Sequence, residues 1–513
     1  MDDKIQKKEV TMNNKYDVII IGAGLGGLSA GALLAKNNKK VLIIEQHTKP
    51  GGYASNFKRK GYVFDASLHN TGPIYENAKF KDLLEELDVL DKINILPYKE
   101  LTRIILPDHD FIIKNGSREF AQYLKSEFPK DSEGIDNIFK IFKDIYDEFE
   151  DINLSYSTID KLTDDIPMLP LKFPMLVTLV DKTFNDILKD YIKNPKLKSI
   201  LSSYWWFNGL PPDEMPCLLY AMSAYPFFEY TGSFIEGTAQ KLSDLLLSHI
   251  TNNGGTALFR QEVVSINIDS GILTGVTTNK GETFYAENII SNANPIDTII
   301  NMIPEEEMDR RYRKKILKSE LSISGLQMYI GLKHEPVDLG MECQTIEVFT
   351  NYDHRVNYET VLKGDYENTF FYITDFTPFN QDLHEKGKGS LNLFTLDHIK
   401  HWENLSKEEY KNKKKEVINI FLKRIDKLIP NLSDNIEFTE LATPMTMKRY
   451  TKNPQGAIYG FSNIASQSGI NRFSNETPIK GLYIAGAYTY PGPGFFSCIL
   501  SGTNAAKLVL KNS

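Results

Sequence analysis

Residues 18–45 constrain the fold more than any other part of the chain. Val18-Ile19-Ile20-Ile21 places four β-branched residues in a row, the pattern of a parallel strand buried on both faces. Gly22-Ala23-Gly24-Leu25-Gly26-Gly27 follows and fits G-x-G-x-x-G through Gly22, Gly24 and Gly27. Leu28, Ala32, Leu33 and Leu34 continue with helical character, and a second strand, Val41-Leu42-Ile43-Ile44, ends at Glu45. Gly22 permits the tight turn, Gly24 lets the backbone approach a pyrophosphate, and Gly27 lets the helix pack close to the strand. The N–H groups at the helix start, at Leu25 and Gly26, hold phosphate charge with the positive end of the helix dipole. Glu45 lies 23 residues after Gly22, where its carboxylate would accept hydrogen bonds from an adenosine ribose, with Gln46 beside it. The order of strand, glycines, helix, strand and acid predicts a dinucleotide-binding unit.

Composition removes several other classes. The stretch from Val18 to Ala35 is 18 residues without a charge, near the lower limit for a membrane span, but five of those residues are the glycines of this loop and helix. The 513 residues suffice for about three domains at roughly 150 residues each. Cys217, Cys343 and Cys498 make neither a disulfide scaffold nor a metal-ligand spacing, so no metal is expected and a reducing, cytoplasmic compartment is. A net charge of −8 with no long basic stripe argues against nucleic acid as a partner. The polar N-terminus carries no signal-peptide core.

Lys49-Pro50-Gly51-Gly52-Tyr53-Ala54-Ser55 follows the second strand, and Gly61-Tyr62-Val63-Phe64-Asp65 comes soon after. At the other end, Gly481-Leu482-Tyr483-Ile484-Ala485-Gly486-Ala487 is a short apolar strand ending at a glycine. Tyr490-Pro491-Gly492-Pro493-Gly494 is a loop, and Phe495 to Leu510 reads as a closing helix with small residues at Ser497, Ser501, Gly502 and Ala505. These segments resemble the FAD-binding glutathione-reductase-like superfamily, in its amine oxidase and phytoene desaturase branch. The resemblance implies FAD. Gly51 and Gly52 would pass close to the phosphates and isoalloxazine. Tyr53 stands where many members carry Arg. Gly486 and Ala487, with Pro491 and Gly492 in the loop beyond, would follow the pyrophosphate and ribityl chain. Gly494 and Phe495 would point the helix dipole at the flavin. A middle segment reads as a helix over Ile235 to Ile250. Three strands follow, around Val263 to Ile268, Leu273 to Thr278 and Thr283 to Ala286, before Ile289-Ile290-Ser291-Asn292 returns to the core sheet. In the family this meander covers the adenine side, with a backbone contact near Val263 or Val264; read from composition, a purely structural hairpin fits equally well. No second G-x-G-x-x-G follows a strand, which favours FAD alone over a bound nicotinamide.

The remaining blocks are interrupted by cofactor segments, so the domains must be interleaved. The expected fold is α/β: a Rossmann-type FAD-binding domain (15–85, 231–296 and 471–513) interleaved with an α+β substrate domain (86–230 and 297–470) built from a mixed sheet and a helical lid. Lys130 to Ile152 reads as a charged amphipathic helix. The apolar patch Ile166 to Val180 is too Pro-rich to span a bilayer; it reads as a lid, a peripheral membrane contact or a packed helix. Tyr204-Trp205-Trp206-Phe207 lines a substrate tunnel or fills a core.

His69, just past Asp65, resembles a histidine of the retinol saturase branch, and its near-neutral pKa suits a proton relay; a loop-bonding role is the alternative. Thr443 to Thr446, Arg449 to Thr451 and Asn453 to Gly460 resemble a run near the isoalloxazine in the carotenoid isomerase and retinol saturase branches, which makes Tyr450 and Tyr459 candidate contacts. The resemblance thus implies an FAD-dependent oxidoreductase acting on carbon–carbon double bonds of a long apolar substrate, with an electron donor or acceptor still to be identified. The other readings are a flavin amine oxidase and a binding module with structural FAD.

Overall fold

The computed structural model describes residues 14–512 apart from 68–69, 73, 75–77, 99–101, 114–115, 156–165, 231 and 380–383. It is an α/β protein built on two large sheets. The first is parallel and five-stranded, in the order Leu482–Ile484, Asn288–Ser291, Val18–Ile21, Val41–Ile44, Thr256–Leu258. Its strands come from four separated stretches of chain. Val18–Ile21 and Val41–Ile44 are buried throughout, as their unbroken apolar runs require.

One side of this sheet is covered by three helices: Leu25–Lys36, Ala239–Asn252 and Phe495–Asn512. The first and last approach unusually closely. A Cβ placed on Gly502 would lie 2.1 Å from the Gly26 carbonyl oxygen and 2.1 Å from Ser29 Oγ. Ser29 Oγ donates across this contact to the Ile499 carbonyl at 3.1 Å. Gly27 makes the equivalent contact with the sheet, since its Cβ would lie 2.1 Å from the Gly22 carbonyl oxygen. The meander Val263–Asp269, Ile272–Thr278, Thr283–Tyr285 packs on the other side.

The second sheet has seven strands, in the order Ile436–Ala442, Ser324–Leu332, Gly389–Asp397, Phe371–Asp375, Thr345–Val348, Thr102–Leu106, His109–Ile113. All neighbours are antiparallel except Thr345–Val348 with Thr102–Leu106. Strand alternation sorts its side chains into two faces. Leu326, Met328, Ile330, Leu393, Ile373 and Ile346 pack outward on Val417, Phe421 and Ile425 of the helix Lys407–Ile425. Gln327, Phe394, Tyr372, Thr374 and Glu347 face inward. Helices between 117 and 229 cover this inner face through a large aromatic core.

Three expectations shift in detail. The segment expected to start a helix at Ile235 opens with a strand, Ser233–Ile235, paired with Ile95–Pro97, and the helix begins at Ala239. Positive φ values at Gly237 and Thr238 separate the two. The expected helix Lys130 to Ile152 runs from Ser132 to Ser155. The 166–180 patch forms short helical turns rather than one helix, and leaves Met168, Leu171, Val177 and Val180 exposed. Among the described residues no helix is long and apolar enough to cross a membrane.

The Gly26–Gly502 approach is testable by overpacking. Gly502→Val is expected to lower stability by about 1–3 kcal/mol, read as an earlier urea midpoint; an unchanged midpoint would show that the two helices do not depend on this contact.

Candidate functional site

A cavity of about 640 Å³ runs between the two sheets. Its first end is the loop after Val18–Ile21. Gly22, Gly24, Leu25 and Gly26 line it, while Gly27 stays behind them as packing. Asn292 sits at the centre. Cβ atoms on Gly24, Gly26 and Gly486 would each lie 2.5–2.6 Å from its carboxamide, so three glycines make a cradle around one side chain. Such a cradle of bare backbone beside a helix start suits a pyrophosphate.

Glu45 and Gln46 line the same end. The Glu45 carboxylate accepts the Ala23 N–H through Oε2 and the His47 N–H through Oε1, both at 2.7 Å. Each oxygen keeps lone-pair capacity for a ribose hydroxyl, and the two bonds fix its direction. The Gln261 and Arg260 N–H groups bond back to the Glu45 and His47 carbonyls, which ties the meander to this end. Val263 is buried and lines the cavity; Val264 is exposed on the opposite side of the strand. Of the two positions expected for the meander's contact, Val263 is the one that lines the cavity.

Gly51, Gly52 and Tyr53 form the middle of the wall. The Gly51 N–H donates to the Ala23 carbonyl at 2.7 Å, which holds this turn against the glycine loop. Burial pushes the Tyr53 phenol up to about 12, against smaller opposing effects of Thr451 and Asn453. Ala487 lines the same cavity along with Gly494 and Phe495, where the helix Phe495–Asn512 begins. Gly486 lies just behind, its N–H held by Ser501 Oγ at 2.9 Å. Pro491 and Gly492 are set back from the cavity, and Gly492 packs on the Arg472 guanidinium. Their part is to shape the loop.

Arg472 is a residue that sequence reasoning missed. It is buried and donates to the Ala487 and Tyr459 carbonyls at 2.6 and 3.0 Å and to Asn463 Oδ1 at 2.9 Å, so it ties the closing loop to the 459 segment. Burial pulls its pKa down to about 10, which leaves it charged at neutral pH.

The inner end is aromatic: Trp206, Phe207, Tyr372, Phe394 and Tyr459 line it with Gln327. Trp206 stacks on Tyr372 with centroids 4.2 Å apart. Trp205, by contrast, is fully buried against Phe370, so the aromatic run divides between core and cavity wall. Gln327 is fully buried, with neither amide atom bonded to protein.

The two expected tyrosines part company. Tyr459 belongs to the inner end, but its hydroxyl donates to the Trp206 carbonyl at 2.7 Å and burial raises its pKa, so it presents a ring and not a free proton. Tyr450 is half-exposed, with its ring 5.2 Å from His47 and its carbonyl beside Gln46. It sits at the Glu45 end and not among the inner rings. His69 lies outside the described residues; its neighbours Ser67, Asn70, Thr71 and Gly72 line the cavity. Asp65 does not line it. Its Oδ1 accepts the Ala239 N–H at 3.1 Å and so caps the helix Ala239–Asn252. Among the described residues no cluster of His, Cys, Asp or Glu can hold a metal.

Residues 20–87 match a family model described as an NAD(P)-binding Rossmann-like domain. Over 97% of its length the chain is 26% identical to the chloroplastic prolycopene isomerase of Daucus carota, covering 80% of that protein. It is 24% identical to the all-trans-retinol 13,14-reductase of Danio rerio (92% of this chain, 82% of that protein). The same identity relates it to the 4,4'-diapophytoene desaturase of a Methylomonas species (97% and 96%). The chain is a homologue of carotenoid isomerases, retinol reductases and carotenoid desaturases. A putrescine oxidase has the same fold, with a TM-score of 0.66 at 14% identity over 97% of this chain and 99% of that one.

Buried carboxyls give this homologue a pH signature. Burial raises Asp65 and Glu347 to about 8 and Asp375 to about 6. In these three groups the folded state keeps protons that the unfolded chain releases near pH 4, so their contribution to stability is full at low pH and is lost as pH rises toward 8. Melting temperatures measured from pH 5 to 9 are expected to decline across that window, and Asp65→Asn to flatten the decline. An identical slope in the variant would show that Asp65 ionises normally.

Proposed function

We propose that the protein is an FAD-dependent oxidoreductase acting on carbon–carbon double bonds of a long apolar polyene, by saturation, desaturation or isomerisation. One observation carries the reading: the glycine cradle and the aromatic pocket are two ends of a single cavity. The chain's full-length likeness to enzymes named for carotenoids and retinol supports the same substrate class. Bound FAD supplies hydride exchange at the flavin. The chain's own residues do the rest. Gly24, Gly26 and Gly486 make room for the pyrophosphate, and Glu45 orients the ribose. The start of the helix Phe495–Asn512 places its positive dipole end at the cavity. Trp206, Tyr372, Phe394 and Tyr459 offer flat apolar faces to a conjugated chain and exclude water. His69 relays a proton; its described neighbours Ser67, Asn70, Thr71 and Gly72 line the cavity.

A flavin amine oxidase is the second reading, favoured by the ring-lined inner end. The exposed Met168, Leu171, Val177 and Val180 suit peripheral contact with a membrane in which an apolar substrate is dissolved.

Purified protein is expected to be yellow and to release FAD on denaturation; a folded, colourless protein that takes up no FAD contradicts the proposal. His69→Ala is expected to keep FAD and to slow conversion of a polyene by on the order of 10²-fold, the usual scale of a lost proton relay. Equal rates would assign His69 to the loop's structure. Peroxide release with simple amines, and no conversion of polyenes, would establish the second reading.

A further inference from the structure

Behind the aromatic wall lies a second, smaller space of about 30 Å³. Asn70, Trp206, Phe207, Phe227 and Tyr372 line both spaces, so the two share a wall. The smaller one differs in chemistry. Its floor is the inner face of the seven-stranded sheet, where Glu347 pairs with Tyr372 and Thr345 with Thr374. Glu347 is 2% exposed and Thr374 1%. Glu347 Oε2, the Thr374 hydroxyl, the Tyr204 hydroxyl and the Trp206 indole N–H make no hydrogen bond of normal geometry, although Trp206 lies close enough to Glu347, and Thr102 to Tyr204, for a weak one.

Buried polar groups this weakly bonded around one space are costly unless something fills it. A volume of this size takes a water or one small polar group, not a ring or a chain. Among the described residues no lysine, arginine or histidine lines it. Burial raises the Glu347 carboxyl to about 8, with only a small opposing pull from Trp206, so it is protonated at neutral pH. The chamber thus offers neutral donors and a neutral acceptor, which suit a hydroxyl better than an ion.

We propose that this chamber is a subsite for a terminal hydroxyl of the apolar substrate, held by Glu347, Thr374 and Tyr204. The inference rests on the polyene reading above and narrows it to oxygen-terminated chains. Phe207 and Phe227, with centroids 5.1 Å apart, are the partly buried rings of the shared wall. The subsite requires one of these rings to turn so that the two spaces join.

The test compares three probes on the FAD-loaded protein: a long-chain polyene alcohol, the matching hydrocarbon and the matching primary amine. The alcohol is expected to bind about tenfold more tightly than the hydrocarbon, the scale of one or two neutral hydrogen bonds. Thr374→Val and Tyr204→Phe should each remove most of that preference and leave hydrocarbon binding unchanged. Glu347→Gln, which keeps a neutral donor and acceptor, should retain it. Equal binding of alcohol and hydrocarbon by the unmodified protein overturns the subsite while leaving the polyene reading intact, and marks the chamber as holding water. Tightest binding of the amine, lost in Glu347→Gln, overturns it in favour of an ionised acid. Binding of none of the three overturns both readings.

Discussion

The helix after the glycine loop and the helix that ends the chain touch through Gly26, Ser29 and Gly502, where even one Cβ would collide with backbone. This contact brings segments almost five hundred residues apart to within hydrogen-bonding distance, as the Ser29–Ile499 bond records. The cradle depends on it. Gly24 and Gly26 come from one helix start, Gly486 from the loop before the other helix, and Asn292 from a strand edge between them. Ser501, one residue before Gly502, holds the Gly486 N–H. Small residues therefore do two jobs here: they set the helix spacing, and through that spacing they set the width of the phosphate cradle.

The second sheet completes the cavity by turning its polar side inward. Gln327, Glu347 and Thr374 face the cavity side, while the outward face is mainly apolar beneath a helix. In the low dielectric behind the aromatic wall, desolvation governs these groups. It keeps Glu347 neutral and leaves the Gln327 amide available. The same desolvation strengthens any hydrogen bond a ligand makes there.

Much of the nucleotide end was legible because its signals are local. Strand, glycines, helix and acid lie within one stretch, and each residue type is demanded by backbone geometry. The inner end was not. Thr345-Ile346-Glu347-Val348 alternates like a strand with one wet face, and nothing in that pattern distinguishes water from a cavity. Gln327 did leave a signal, a lone amide within the apolar run from Leu326 to Leu332. The motif around Tyr459 suggested an isoalloxazine contact, and its ring lines the cavity. Its hydrogen bond to Trp206 spans 253 positions, so its loss as a proton donor depends on tertiary packing alone. Arg472 was invisible for the same reason: its partners are main-chain carbonyls and the Asn463 carboxamide, on loops whose meeting no local pattern encodes.

The central claim is that the dinucleotide cofactor and an apolar chain share one cavity and touch within it. Anaerobic titration of the FAD-loaded protein with a conjugated polyene, followed in the flavin absorption bands, tests this most directly. The account predicts a saturable perturbation of those bands as the chain settles against the isoalloxazine. A polyene that binds tightly yet leaves the flavin spectrum untouched would contradict it.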